Sequence, residues 1–373
     1  MKIGFDAKRA FNNAAGLGNF SRNTIAALAR QHPDDKLFLF NPGEKRVAFT
    51  APKNSTEIEP VTLWWKTFSK VWRSLQISKL VKQHKLDIYH GLSHELPSGI
   101  EKTGVKSIVT MHDLIYLRYP EFFSKIDCAI YDAKFRYSCR VANQIHAISE
   151  QTKSDLISFF SVPEEKIRVI YQSINPVFFK PVDQGLKYQL RKKFQIPERF
   201  ILSVGTVESR KNLLALLEAM VLTKVYLPLV IVGKLTSYHH KIQKFIEADL
   251  NRIQIIVLPR IEDSELAAIY QMAEMMVYPS LYEGFGLPVV EAQACGCPVI
   301  TSNTSSMPEA GGDAAIYINP EKPEEIGRAI VKLMSDVDLR ESLITKGKIN
   351  AQRVTPESFV VQLKQLYNSV LND

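Results

Sequence analysis

Short apolar runs recur along the chain, and most are followed by a longer stretch with apolar residues at helical spacing. Strands are predicted at Lys2–Phe5, Lys36–Phe40, Asp87–His90, Ser107–Thr110, Gln144–Ile148 and Arg168–Tyr171 in the first half. In the second half they are predicted at Phe200–Val204, Leu229–Val232, Gln254–Leu258, Met275–Tyr278, Pro298–Thr301 and Ala315–Ile318. These runs are rich in Ile, Val and Phe and do not alternate with polar residues, as expected of strands buried on both faces. Strand and helix alternating twice over predicts an α/β protein with two parallel-sheet domains. The segment NPVFFK at Asn175–Lys180 marks the boundary, giving domains 1–176 and 177–373. The amphipathic closing stretch Pro356–Leu371 is a candidate to pack back on the first domain.

At 373 residues the chain is long enough for two ordinary domains. No run of about 18 apolar residues occurs, so no membrane span is expected. The N-terminus MKIGFDAKRA has no apolar signal-peptide core. Cys128, Cys139, Cys295 and Cys297 follow no metal-site or disulfide-framework spacing. Free thiols in a cytoplasmic protein are the expectation.

Charge changes this picture. The net charge is +8, and residues 1–176 carry all of it, with 25 Lys and Arg against 17 Asp and Glu; residues 177–373 balance at 22 each. A basic first half predicts an anionic partner. Within it, VTLWWKTFSKVWRSLQISKLVKQHK (Val61–Lys85) has six Lys or Arg and no acid, with Trp64, Trp65, Phe68, Val71, Trp72 and Leu75 at helical spacing. Such a face is read first as core. The alternative is peripheral contact with an anionic membrane.

Ligands of open parallel sheets bind beyond the carboxyl ends of strands, near helix N-termini, so four loops carry the candidate chemistry. The first is Ala15-Gly16-Leu17-Gly18-Asn19-Phe20, before a helix from about Ser21. Gly16 and Gly18 allow close backbone approach to a ligand, or form a plain turn. No third glycine follows at the spacing of a dinucleotide fingerprint. The second is Thr110-Met111-His112-Asp113-Leu114, where His112 either faces a ligand or is satisfied by local hydrogen bonds. The third runs from Ser203 through Gly205 and Thr206 to Arg210, Lys211 and Asn212. Two cations before a helix oppose its dipole unless an anion lies between, and a diphosphate would supply one. The fourth is YPSLYEGFGLPVVEAQACGCPVI, from Tyr278 to Ile300. Here Pro288 suits the first helical position and Gly296 the helix end. Glu283 stands in the loop and Glu291 about one turn into the helix. The two are placed to accept hydroxyls at opposite ends of a ligand whose phosphates meet the N–H groups of Gly284, Phe285, Gly286 and Leu287. Asp336-Val337-Asp338 reads as a helix cap rather than a cation site.

The loop EGFGLPVVE resembles the donor-site motif of the retaining glycosyltransferases of the GT4 family, which have the GT-B fold. GVKSIVTMHDLIYLRYPEFF, SVGTVESRKNLLALLEAM and SSMPEAGGDAAIYINP resemble further signatures of that family in the same order. The likeness covers essentially the whole chain and is nearest to the bacterial mannosyltransferase-like branch of polysaccharide assembly. It implies two Rossmann-like domains facing across a cleft, an acceptor-binding first domain and a nucleotide-sugar-binding second one. It implies that Glu291 binds ribose, that Glu283 touches the donor sugar, and that Lys211 binds phosphate. Gly16 and Gly18 would lie near the diphosphate and His112 near the sugar, giving Glu283, His112, Lys211 and Arg210 the catalytic roles. The family's frequent arginine after the strand-ending glycine is Thr206 here, which leaves Arg210 to replace its charge.

The resemblance implies no metal and no cofactor beyond the nucleotide-sugar co-substrate, GDP-mannose or a UDP-sugar. The acceptor would be a saccharide or lipid-linked saccharide, and the enzyme would work in the cytoplasm or at the inner face of the membrane. A non-catalytic nucleotide-sugar-binding protein is the alternative from another class. Nucleic-acid binding would explain the charge but not four ligand loops at strand ends, and an epimerase does not fit the EGFGLP loop.

Overall fold

The computed structural model describes residues 1–248 and 253–372. They divide into two compact units: Met1–Ser173 together with Pro356–Asp373, and Ile174–Thr355. The chain therefore changes unit after Ser173, and again after Thr355.

The first unit is built on a seven-stranded parallel sheet: β1 (Lys2–Asp6), β2 (Lys36–Phe40), β3 (Ser55–Ile58), β4 (Ile88–Gly91), β5 (Lys106–Met111), β6 (Gln144–Ala147) and β7 (Ile167–Val169). Its order is β3-β2-β1-β4-β5-β6-β7. Lys2 pairs in register with Lys36 on one side of β1, and Ile3 with Ile88 on the other. Strand β3 has the sequence STEI and lies at the sheet edge. It escapes a search for apolar runs because an edge strand needs no continuous apolar face. The final helix, Pro356–Asn372, contributes Phe359, Val360, Leu363, Leu366, Tyr367 and Val370 to the core that also holds Ile3, Phe5 and Ile88.

The second unit has a six-stranded sheet of β8 (Ile201–Val204), β9 (Leu229–Val232), β10 (Ile255–Leu258), β11 (Met275–Tyr278), β12 (Val299–Ser302) and β13 (Ile316–Ile318), in the order β10-β9-β8-β11-β12-β13. All its pairings are parallel, with Met275 opposite Ile201. Each sheet thus reverses its winding once, between β1 and β4 in the first unit and between β8 and β11 in the second. The loops leaving those strand pairs open the crevice where ligands of such sheets bind.

Three local expectations are corrected. Residues 61–85 do not form one amphipathic helix but three short ones, Leu63–Thr67, Ser69–Leu75 and Ile77–Gln83. Trp72, Ile77 and Val81 enter the core, whereas Leu63, Trp64, Phe68, Val71 and Leu75 stay exposed. After β1 and a short helix, Lys8–Asn12, the longer helix starts at Gly16 rather than near Ser21, because neither Gly16 nor Gly18 takes a positive φ and both continue the helix. Pro288 occupies the second position of the helix Leu287–Ala294, not the first.

Asp336 caps the helix Val337–Ala351, its carboxylate accepting from Leu339 N–H at 2.9 Å. Gly296, at φ +75°, ends the Leu287 helix: its N–H bonds Gln293 O while Cys297 N–H bonds Ala292 O. Among the described residues no helix is long and apolar enough to cross a membrane.

Candidate active site

In the second unit the loops leaving β8 and β11 meet through their charges. After β8 the chain turns at Gly205 (φ +131°) and forms a single 3-10 turn, Ser209–Lys211. Asn212, at φ +56°, then starts the helix Leu213–Leu222. After β11, the loop through Glu283 leads to Gly286, which at φ +106° precedes the Leu287 helix. A side chain at Gly286 would bring a Cβ within 2.4 Å of Met307 Cε, so both conformation and space require glycine there.

Glu283 is buried between two cations. Its Oε1 lies 2.5 Å from Lys211 Nζ and its Oε2 2.7 Å from Arg210. Ser280 Oγ and Tyr278 OH donate to Oε1 at 2.7 and 3.0 Å. Burial alone would raise the Glu283 pKa, but Lys211 and Arg210 outweigh it and hold the carboxyl down to about 2. The loop itself is pinned by Ser305, whose Oγ accepts Glu283 N–H at 3.0 Å and donates to Glu283 O at 2.8 Å, and by Ser306 Oγ at 2.9 Å from the same carbonyl.

Arg210 also bonds Tyr282 O at 2.9 Å and Glu208 Oε1 at 2.5 Å. Lys211 donates to Tyr278 OH and sits over that ring, 4.8 Å from its centroid. Burial, then the neighbouring Arg210 charge, lowers the Lys211 pKa against the opposing pull of Glu283. The two cations before a helix do have an anion beside them, and in this structure it is the chain's own Glu283. Thr206 occupies the place after Gly205, and Arg210 is the guanidinium beside Lys211.

Glu291 is set apart from this cluster. Tyr270 OH donates to its Oε2 at 3.1 Å, and no cation pairs with it among the described residues. Burial, then the charge of Asp263, pushes its pKa up to about 8. Glu283 and Glu291 thus flank the start of one helix with opposite electrostatic settings, one held ionised and the other readily protonated.

The first unit holds the remaining candidates. Gly18 stands where a Cβ would lie 1.7 Å from Asn13 O, so close contact between the helix Gly16–Gln31 and the preceding turn requires glycine. Arg22 ties that turn down through Ala10 O (2.9 Å) and Asn13 O (2.8 Å). His112 is buried edge-on against Phe20, with ring centroids 4.8 Å apart. Its Nε2 lies 2.9 Å from Leu92 O and its Nδ1 2.9 Å from Gln172 Nε2. These partners fix a neutral tautomer with the hydrogen on Nε2. Burial, then His94, lowers its pKa to about 3. Both ring nitrogens are engaged within the unit, so the ring has no spare polar atom to offer a sugar unless one of those bonds opens.

Sequence reasoning missed Tyr278, Ser280, Glu208 and Tyr270 as supports of the site. The signal for Tyr278 and Ser280 was present, since both close the strand that leads into the Glu283 loop. Nothing local to Tyr270 points to Glu291, 21 residues on.

Two open parallel sheets, each with loops gathered at its winding reversal, define a doubly wound α/β protein, and the cation pair beside a helix start marks an anion-binding loop in its second unit. Residues 187–350 match the family described as glycosyl transferases group 1, and residues 15–178 match glycosyltransferase family 4. O-antigen chain mannosyltransferase B of Escherichia coli is 30% identical over 98% of this chain and 99% of its own length. The chain belongs to the GT4 family of glycosyltransferases. Among solved structures, sucrose-phosphate synthase from Thermosynechococcus elongatus superposes with a TM-score of 0.77 at 20% identity, covering 100% of this chain and 99% of that one. Anabaena HepE in complex with UDP gives 0.72 at 16% identity, over 99% and 100%.

Proposed function

We propose that the enzyme transfers mannose, with retention, from GDP-mannose to a saccharide or lipid-linked saccharide in cell-surface polysaccharide synthesis. The observation that carries this reading is the Arg210–Lys211–Glu283 cluster at the winding reversal of the second sheet. Charge develops on the departing diphosphate, and Arg210 and Lys211 are positioned to stabilise it. The leaving group would take over from Glu283 as their counter-ion, freeing that carboxylate to accept sugar hydroxyls. Without a donor, Lys211 and Arg210 hold the Glu283 carboxyl down to about 2, so it meets the nucleotide sugar as a carboxylate, suited to accept hydroxyls rather than to serve as a general acid of the glycosidase type.

The E. coli mannosyltransferase relative supports mannose, and the UDP-bound neighbour keeps a UDP-sugar as the second reading of the donor. Glu291 would take the ribose hydroxyls, and the N–H groups of Gly284 to Leu287 the phosphates. The cations assigned to the diphosphate are side chains, so the nucleotide sugar is the only co-substrate in this proposal. A panel of GDP- and UDP-sugars tests it: GDP-mannose is expected to raise the melting temperature and to be turned over by transfer or slow hydrolysis. A melting shift without any release of nucleotide would make the protein a nucleotide-sugar-binding subunit instead.

The same proposal places the enzyme at the inner face of an anionic membrane. Val61, Leu63 and Trp64 are 89%, 80% and 64% exposed, in a segment of six Lys or Arg without an acid. Apolar side chains in a basic, acid-free segment suit an anionic bilayer surface. The protein is expected to co-sediment with vesicles containing phosphatidylglycerol, and L63S/W64S to lose most of that binding. Binding indifferent to lipid charge would argue against this placement.

A further inference from the structure

In the second unit, the C-terminal end of the helix Leu287–Ala294, away from the Glu283 loop, walls a cavity of about 410 Å³. That size falls within the range of about 300–1,000 Å³ typical of small-molecule sites. At about 1.5 Å per residue, the helix sets the cavity roughly 12 Å from the loop in which the helix begins. It is therefore a space apart from the Arg210–Lys211–Glu283 cluster. Lys180, Lys187 and Lys348 line it, and no carboxylate does so among the described residues.

The walls are held by specific bonds. The Cys295 thiol donates to Phe178 O at 3.4 Å, fixing the turn Pro176–Phe179 against the helix end. Gln271, in the helix Asp263–Met272, donates through Nε2 to Lys180 O at 2.8 Å and accepts Val182 N–H at 3.1 Å. The segment that carries Lys180 is thereby held in place. Asp183 then caps the helix Gln184–Phe194, and Lys187 N–H closes its first turn on Asp183 O at 3.2 Å. Lys348, in the helix Val337–Ala351, lies against Gly296: a Cβ there would stand 3.0 Å from Lys348 Cε and 3.6 Å from its Nζ. Three separate elements thus bring one lysine each to a single space.

A helix C-terminus attracts a cation, because it carries about half a negative charge. That accounts for Lys348 and leaves two further ammonium groups unexplained. The carbonyls at this helix end are already bonded, since Glu291 O, Ala292 O and Gln293 O accept the N–H groups of Cys295, Cys297 and Gly296. Like charges around one cavity repel, and an anion between them relieves that cost.

We propose that this cavity binds a monosaccharide phosphate, with Lys180, Lys187 and Lys348 as the counter-ions of its phosphate group. A phosphate monoester carries about 1.5 to 2 negative charges at neutral pH, so it answers several ammonium groups where a single carboxylate answers one. The apolar surface of Phe179 and Pro181 and the amide of Gln352, which also line the cavity, suit the body and hydroxyls of a sugar. The site is independent of which nucleotide sugar serves as donor.

The test titrates glucose 6-phosphate by calorimetry into the full chain saturated with GDP, which occupies the donor cations. Binding is expected for glucose 6-phosphate, absent for glucose and weaker for citrate. K187Q and K348Q should each weaken it about tenfold or more, as expected for losing one hydrogen bond to a charged group. K346Q, the same charge loss two residues away on the same helix and outside the cavity lining, should leave it unchanged. Unaltered melting temperatures check that the variants are folded. No binding of glucose 6-phosphate, or binding only without GDP, overturns the proposal. So does citrate binding as tightly, or K346Q weakening it as much as K348Q, which would reduce the effect to general surface charge. If GDP does not bind the wild-type protein, the donor reading fails, whereas K187Q and K348Q still decide whether the phosphate sits in this cavity.

Discussion

K211M is expected to lower kcat for sugar transfer by about 10²- to 10³-fold, the range for losing one donor that stabilises a developing anion. Lys211 is the cation closest to Glu283, and its ammonium also meets the Tyr278 hydroxyl. The fold should survive, because Arg210 still neutralises Glu283 and methionine fills a similar volume. Donor KM should change less than kcat, since the charge on the leaving diphosphate peaks in the transition state. Steady-state kinetics with circular dichroism checks the pair of claims. A folded variant with near-normal turnover would remove Lys211 from the chemistry, and with it the reading of the cation pair.

G233A is expected to weaken nucleoside diphosphate binding at least tenfold, although Gly233 belongs to neither charged loop. A Cβ at Gly233 would stand 1.9 Å from Gly205 O and 2.5 Å from Gly205 C, both backbone atoms that cannot swing aside. Gly205 is the turn from which the Arg210–Lys211 segment departs, and its own α-carbon side faces Lys211 Cε. Relief must come from moving that turn, at about 1–3 kcal/mol for an overpacked site. G43A, where the added methyl meets nothing within 4 Å, is the control. Calorimetric titration with GDP or UDP compares the two; wild-type affinity in G233A would mean that the loop tolerates the shift.

The fold was largely legible because the strands buried on both faces leave continuous apolar runs, and all twelve expected strands are found within a residue or two of their predicted ends. The thirteenth, STEI, was hidden because an edge strand is exempt from that rule. The helix start at Gly16 was misplaced because glycines read as a loop, while here Gly18 serves close packing against Asn13. The end of the Leu287 helix at Gly296 followed from local chemistry, and its start lies one residue before the expected Pro288. What no local pattern could convey is that Glu283 pairs with cations 72 and 73 residues earlier. Arg210 and Lys211 signalled that an anion was needed, and only the meeting of the β8 and β11 loops identifies an internal one. Similarly, spacing alone could not say that Trp72 is core while Trp64, two turns back, is exposed. The break between the helices Leu63–Thr67 and Ser69–Leu75 decides that.

The return of the last helix to the first unit has a consequence for how the chain is made. Phe359, Val360, Leu363, Leu366, Tyr367 and Val370 belong to the same core as β1, and Tyr367 OH lies 2.8 Å from His90 Nδ1 on β4. Asp35 holds both the Met1 amino group, at 2.7 Å, and Lys364, at 2.6 Å. During synthesis the first half emerges first yet lacks these side chains, while residues 174–355 form an uninterrupted stretch that carries its entire core. The usual order, in which the leading domain folds before the trailing one, is therefore inverted: the middle of the chain can fold while its beginning waits for its end.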